Sequence, residues 1–121
     1  IAYKQLGGKE NQQKGLRLQE QALVMYQALY PDQPHPDMAN LLYDIGITYQ
    51  RSGGIDNLEK SLSFYMQALA MYQALYPDQP HPDVAQSLTD IGHVLIFLWR
   101  AEEGRAYLCQ AAQMKRKLNN H

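Results

Sequence analysis

Ala-Leu-Val-Met-Tyr-Gln-Ala-Leu-Tyr-Pro-Asp-Gln-Pro-His-Pro-Asp, residues 22–37, returns at residues 68–83 with one change, Val24 to Ala70. Such near-identity marks an internal repeat, which governs how every other signal is read. The offset of 46 holds beyond the shared stretch, since Gly46 pairs with Gly92 and Pro31 with Pro77. Carried backwards, it sets Tyr3 under Tyr49, Gly7-Gly8 under Gly53-Gly54, Lys14 under Lys60 and Leu16 under Leu62. The expectation is a partial repeat over 1–30 followed by repeats over 31–76 and 77–121, all one domain. The opening on Ile1 fits a piece of a longer array.

Pro31 and Pro77 cannot continue a helix, so each closes the helical run before it. Pro-Asp-Gln-Pro-His-Pro is a stiff connector, and Pro36 suits the first position of the next helix, with Asp37 in its first turn. His35 and His81 stand where they would cap the helices they precede.

Apolar spacing places helices over about 11–30, 36–51, 57–76, 82–99 and 102–118, after a helix tail over 1–6 that Gly7-Gly8 ends. Leu16, Leu18, Leu23, Met25 and Leu29 are expected on or near the buried side of the 11–30 helix. Asp56 or Asn57 is the expected N-cap of the helix after Gly53-Gly54. Gly46 and Gly92 fall inside helices, where glycine costs about 1 kcal/mol relative to alanine. Their recurrence points to close helix–helix approach. Gly46 to Ala68 spans 22 positions but Gly92 to Ala111 only 19, so the last unit lacks three residues in its inner turn, where Leu98 to Gly104 is helix-permissive and lacks a glycine pair. A hairpin is expected there by analogy with the preceding unit; a straightened helix exchanged with a second chain is the other arrangement.

Composition sets outer bounds. The chain has 121 residues and a net charge of −1, so no electrostatic footprint for nucleic acid is present. Lys115, Arg116 and Lys117 fall where cations complement a helix C-terminus. No apolar run nears the roughly 18 residues of a membrane span; the most apolar stretch is Val94 to Trp99, which calls for burial on more than one side. One cysteine, Cys109, cannot form an internal disulfide and suits a reducing, cytoplasmic setting. It is expected as a buried structural thiol.

The complete unit gives Leu42, Ile45, Gly46, Tyr49 and Gly53, then Ser61, Tyr65, Ala68 and Pro77. The last gives Leu88, Ile91, Gly92, Leu95, Gly104 and Ala111, and the first Tyr3, Gly7, Gly15 and Ala22. This pattern resembles the tetratricopeptide repeat, and the long unit with its Tyr-Pro-Asp-Gln-Pro-His-Pro-Asp signature is similar to the roughly 42-residue class of kinesin light chain and nephrocystin-like proteins. It departs where Trp99 takes a turn-glycine position, Leu95 an aromatic position and Gln19 the aromatic position of the second helix. The resemblance implies an all-α, right-handed superhelical solenoid of antiparallel helix pairs, about two and a half repeats long. Gly15, Ser61 and Gly104 then fall where each second helix packs on its first.

The resemblance further implies a concave groove lined by the first helix of each pair. Its candidate residues are Asn40, Tyr43, Ile47 and Gln50 in one copy, and Gln86, Thr89, His93 and Ile96 in the other, with Phe97 beside them. The copies diverge at these positions while the connector hardly changes. The expected ligand is an extended peptide or a partner helix. Kinesin light chain grooves receive acidic, tryptophan-containing peptides through basic side chains; these positions carry no such set, with Arg51 and Arg100 only at the margins.

Catalysis finds no support. Asp32, His35 and Asp37, with Asp78, His81 and Asp83, contain metal-ligand types, but the repeat makes a turn device the better account. Neither a cofactor nor a metal is implied. The expected function is a protein–protein interaction scaffold, not an enzyme. The other readings are a spacer or oligomerisation module that self-associates through Val94 to Trp99, including as a swapped dimer, and a substrate-recruiting part of a larger enzyme. Two uncapped end faces would make the chain only modestly stable and prone to association.

Overall fold

The computed structural model describes residues 2–120, and their side chains from residue 11 onward. Five helices account for nearly all of these residues: α1 (Ala2–Leu29), α2 (Pro36–Ser52), α3 (Ile55–Leu75), α4 (Pro82–Phe97) and α5 (Ala101–Asn119). Each packs chiefly on its neighbours in the chain, most extensively in the pairs α2/α3 and α4/α5, then α3/α4, then α1/α2. Such nearest-neighbour packing is what a linear array of helix pairs produces.

The connectors explain how the pairs are joined. Tyr30 and Tyr76 precede the prolines, and Asp32 and Asp78 adopt left-handed backbone at φ 58° and 61°. Aspartate tolerates that conformation better than most residues. The imidazole of His35 then stacks on Tyr30 with ring centroids 3.8 Å apart, and His81 on Tyr76 at 3.6 Å. Each Nδ1 accepts the backbone N–H two residues on, from Asp37 or Asp83, at 3.1 Å. One histidine thus caps the new helix and clamps its ring to the end of the old one. Both caps anticipated from the sequence are present, with proline in the first turn.

Close approach explains the interior glycines. A Cβ built on Gly46 would lie 2.6 Å from Cδ1 of Tyr65, and one on Gly92 would lie 2.7 Å from Cγ of Leu108. The Ser61 hydroxyl donates to the Gly46 carbonyl at 2.8 Å, so the small residue opposite also satisfies a backbone oxygen. In the last pair Gly104 stands there, and a Cβ on it would lie 2.6 Å from the Gly92 oxygen. The core runs between these helices through Leu42, Leu62, Tyr65, Ala68, Leu69, Leu88, Ile91, Leu95 and Ala111.

Several expectations need correction. Gly7-Gly8 does not end a helix: α1 runs through it as one piece. Glycine weakens a helix without forbidding it, and the Gly53-Gly54 turn forms only because both residues take positive φ, 75° and 85°. Leu18, Met25 and Leu29 are not buried but 66, 65 and 64% exposed, because α1 is packed along one side only. The N-cap of α3 is Gly54, neither Asp56 nor Asn57; Asn57 instead donates to the Gly53 carbonyl at 2.8 Å. Cys109 is exposed, since α5 turns that face away from α4.

The last unit closes as a hairpin. Trp99 takes the left-handed position that Gly53 holds one repeat earlier, at φ 65°, and its indole is 91% exposed. Glu103 anchors the turn by accepting two bonds from the Arg100 guanidinium, at 2.9 and 2.7 Å. Val94 and Leu95 are buried, whereas Ile96, Phe97 and Trp99 are exposed, so the apolar run is covered at its start only.

Candidate functional site

The side chains of α2 that follow the groove register divide between two neighbours. Leu42, Ile45 and Gly46 are buried, while Tyr43, Ile47 and Gln50 are half-exposed on the adjoining face. These three line a depression of about 420 Å³ with Arg51 from the same helix, Tyr65 from α3 and Asp90 from α4. Three of the nine candidate positions therefore meet in one place.

Hydrogen bonds fix the depression's polar groups. The Tyr65 hydroxyl, reaching through from α3, donates to Oε1 of Gln50 at 2.6 Å. Tyr72, one helical stretch further on, donates its hydroxyl to Oδ1 of Asn40 in the same way. Tyr43 donates to the Asp90 carboxylate, tying α2 to α4, and Nε2 of Gln86 donates to the same oxygen at 3.2 Å. An amide whose oxygen accepts from a fixed hydroxyl has its NH2 group directed away from that partner. Asn40 and Gln50 thus present oriented donors along one helix face.

Burial dominates the acid–base behaviour of these phenols. It pushes Tyr65 up to about 12, with the nearby Asp90 charge adding to the effect. Tyr43 is raised further, first by burial and then by its bond to Asp90. Tyr72 is raised chiefly by burial, with the charges of Asp83 and Asp44 contributing. All three act as neutral hydrogen-bond donors across the physiological range.

The other candidates stand apart from the depression. Asn40 is exposed at the start of α2, accepts from the Tyr72 hydroxyl and does not line the depression. Thr89 is half-exposed, and its hydroxyl donates back to the Ala85 carbonyl at 2.9 Å within its own helix. His93, Ile96 and Phe97 are exposed along α4 and do not line the depression. Asp90 is the residue that sequence reasoning missed. It carries the same letter as Asp44 one repeat earlier, so it looked like scaffold. What sets Asp90 apart from Asp44 among the described residues is the hydroxyl of Tyr43, on the first helix one unit before it.

Among the described residues no group of histidine, cysteine and carboxylate side chains is arranged to hold a metal ion. His35 and His81 already spend Nδ1 on their caps. No helix among the described residues is long and apolar enough to cross a membrane. No protein-family model matches the chain, and no curated protein matches it either.

Proposed function

We propose that the chain is a tetratricopeptide-like interaction module whose α2 face, from Asn40 to Gln50, binds an extended peptide of a partner protein. The oriented amides carry this reading. Asn40 and Gln50 lie almost three helical turns apart, each held by a tyrosine hydroxyl from α3. Pre-set donors of that kind suit peptide carbonyls, because little ordering remains to be done on binding. Ile47 offers apolar contact between them, and Asp90 with Arg51 supplies one charge of each sign at the rim. A right-handed superhelical stacking of the pairs, with α2 and α4 on its concave side, accompanies this reading. The internal repeat, the glycine contacts and the packing of each helix chiefly on its neighbours support it.

The test is selection of a displayed peptide library on the immobilised chain, followed by titration against Gln50→Ala and Asp90→Asn, both checked by circular dichroism. Selected peptides should lose about tenfold or more in affinity for Gln50→Ala, the usual effect of removing a central interface hydrogen bond. Peptides that bind both variants as tightly as the parent would refute the α2 groove.

A further inference from the structure

Tyr43, Ile47 and Arg51 follow one another at four-residue intervals on α2, so they form one inclined line along its face. All three line the depression, and the phenol's hydrogen bond holds Asp90 at the Tyr43 end. A carboxylate thus stands at one end of the line, a guanidinium at the other and an isoleucine between them. Among the described residues neither Asp90 nor Arg51 belongs to an ion pair. The two donors to Asp90, the Tyr43 hydroxyl and Nε2 of Gln86, share Oδ2, so no described side chain donates to Oδ1.

A ligand that covers this line strips water from both charges. A neutral segment would leave each of them unpaired, an acidic one would repel Asp90, and a basic one would repel Arg51. Only a ligand bearing both signs in the right order satisfies the two ends together. The phenol rings of Tyr43 and Tyr65, with centroids 5.4 Å apart at the carboxylate end, further favour a cation there.

Helix and strand geometry set the spacing. From Tyr43 to Arg51 the helix rises about 12 Å. An extended chain rises about 13 Å over four residues, and its side chains at positions i, i+2 and i+4 share one face. The two lengths coincide, with position i+2 falling opposite Ile47.

We infer that the α2 face selects an extended segment of a partner protein with a lysine or arginine, an apolar residue and a carboxylate at alternate positions. The cation meets Oδ1 of Asp90, the apolar side chain meets Ile47, and the carboxylate meets Arg51. This inference rests on the groove proposed above and adds to it the sequence class of the ligand. The corresponding line on α4 is Thr89, His93 and Phe97, with no carboxylate or guanidinium, so the selection belongs to α2.

The test titrates labelled, end-capped peptides onto the whole chain by fluorescence anisotropy, each built on the core Lys-Ser-Val-Ser-Glu or its reverse. The better of the two should bind about tenfold more tightly than the same peptide with either charge replaced by glutamine. It should lose about as much when the two charges are made adjacent, for they then reach only one end of the line. Arg51→Glu changes an exposed side chain and is checked by circular dichroism. It should transfer the preference to Lys-Ser-Val-Ser-Lys, which the parent binds poorly. Equal binding of a Gln-Ser-Val-Ser-Gln peptide, or a charge preference that Arg51→Glu leaves unchanged, overturns the inference while the groove stands. So does failure of every such peptide on a chain that still binds library-selected peptides through Gln50. If library selection yields nothing that Gln50→Ala weakens, the groove itself falls, and this inference with it.

Discussion

Gly15 and Gly104 occupy the same repeat position, and alanine should act on them with opposite sign. At Gly15 the new methyl enters open space, so the change removes only the conformational penalty of a helix-interior glycine. The expected gain is about 0.5–1 kcal/mol. At Gly104 the methyl would lie 2.6 Å from the Gly92 carbonyl oxygen and 2.8 Å from Cγ1 of Ile96. The isoleucine can rotate away, but the oxygen belongs to the backbone of α4, so α4 and α5 must separate by most of an ångström. Overpacking of this kind costs about 1–3 kcal/mol. After the same propensity gain is credited, Gly104→Ala should lose about 1–2 kcal/mol. Urea unfolding followed by helical circular dichroism measures Gly104→Ala. Amide exchange along α1 should register Gly15→Ala even if that end opens before the rest. A Gly104→Ala protein as stable as the parent would refute the close α4/α5 approach, and loss of protection in Gly15→Ala would mean that α1 is already covered there.

Alkaline pH should unfold the chain through its buried phenols. Tyrosines that ionise near their ordinary value of 10.0 when unfolded, but at about 12 or above when folded, leave the native state holding more protons between those values. Stability should therefore be level below about pH 9 and fall as pH rises through 10 to 12. Tyr72→Phe should lessen that slope in urea midpoints, and an unchanged slope would remove Tyr72 from the account. Trp99→Gly should stabilise by about 0.5–1 kcal/mol, since left-handed backbone is costly for a bulky residue and the exposed indole packs on little. A lower thermal midpoint would show that the indole holds the turn.

What could be read beforehand was whatever recurs within the chain. The connector, both histidine caps, the two interior glycines and the small residues opposite them were all visible as repeats. Each has a local physical cause: a missing N–H, an imidazole acceptor, a side chain that would not fit. The failures share a different origin. Gly7-Gly8 copies Gly53-Gly54 in letters, yet a glycine pair only permits a turn, and α1 continues through it. Leu18, Met25 and Leu29 follow a buried pattern, yet no described helix covers them. Cys109 replaces Met66, itself exposed, so burial was inferred from residue type where the register pointed to solvent. Asp90 was passed over because identity between copies was taken for identity of role.

The same register bears on where a ligand would centre. Asn40 and Gln50 correspond to Gln86 and Ile96 one unit later, and the tyrosines behind them, Tyr72 and Tyr65, to Lys115 and Leu108. Front and back layers change together. In the complete unit each tyrosine of α3 meets an amide of α2 and holds it by its hydroxyl. In the last unit, where leucine and lysine replace those tyrosines in sequence, isoleucine replaces Gln50 and Gln86 donates to Asp90. The hydroxyls thus serve α2 alone. Their removal by Tyr65→Phe would leave the Gln50 amide free to rotate about its last bond while changing no groove residue. Peptides selected on the parent should then bind Tyr65→Phe more weakly with the fold intact, and equal binding would mean that the amides need no support from behind.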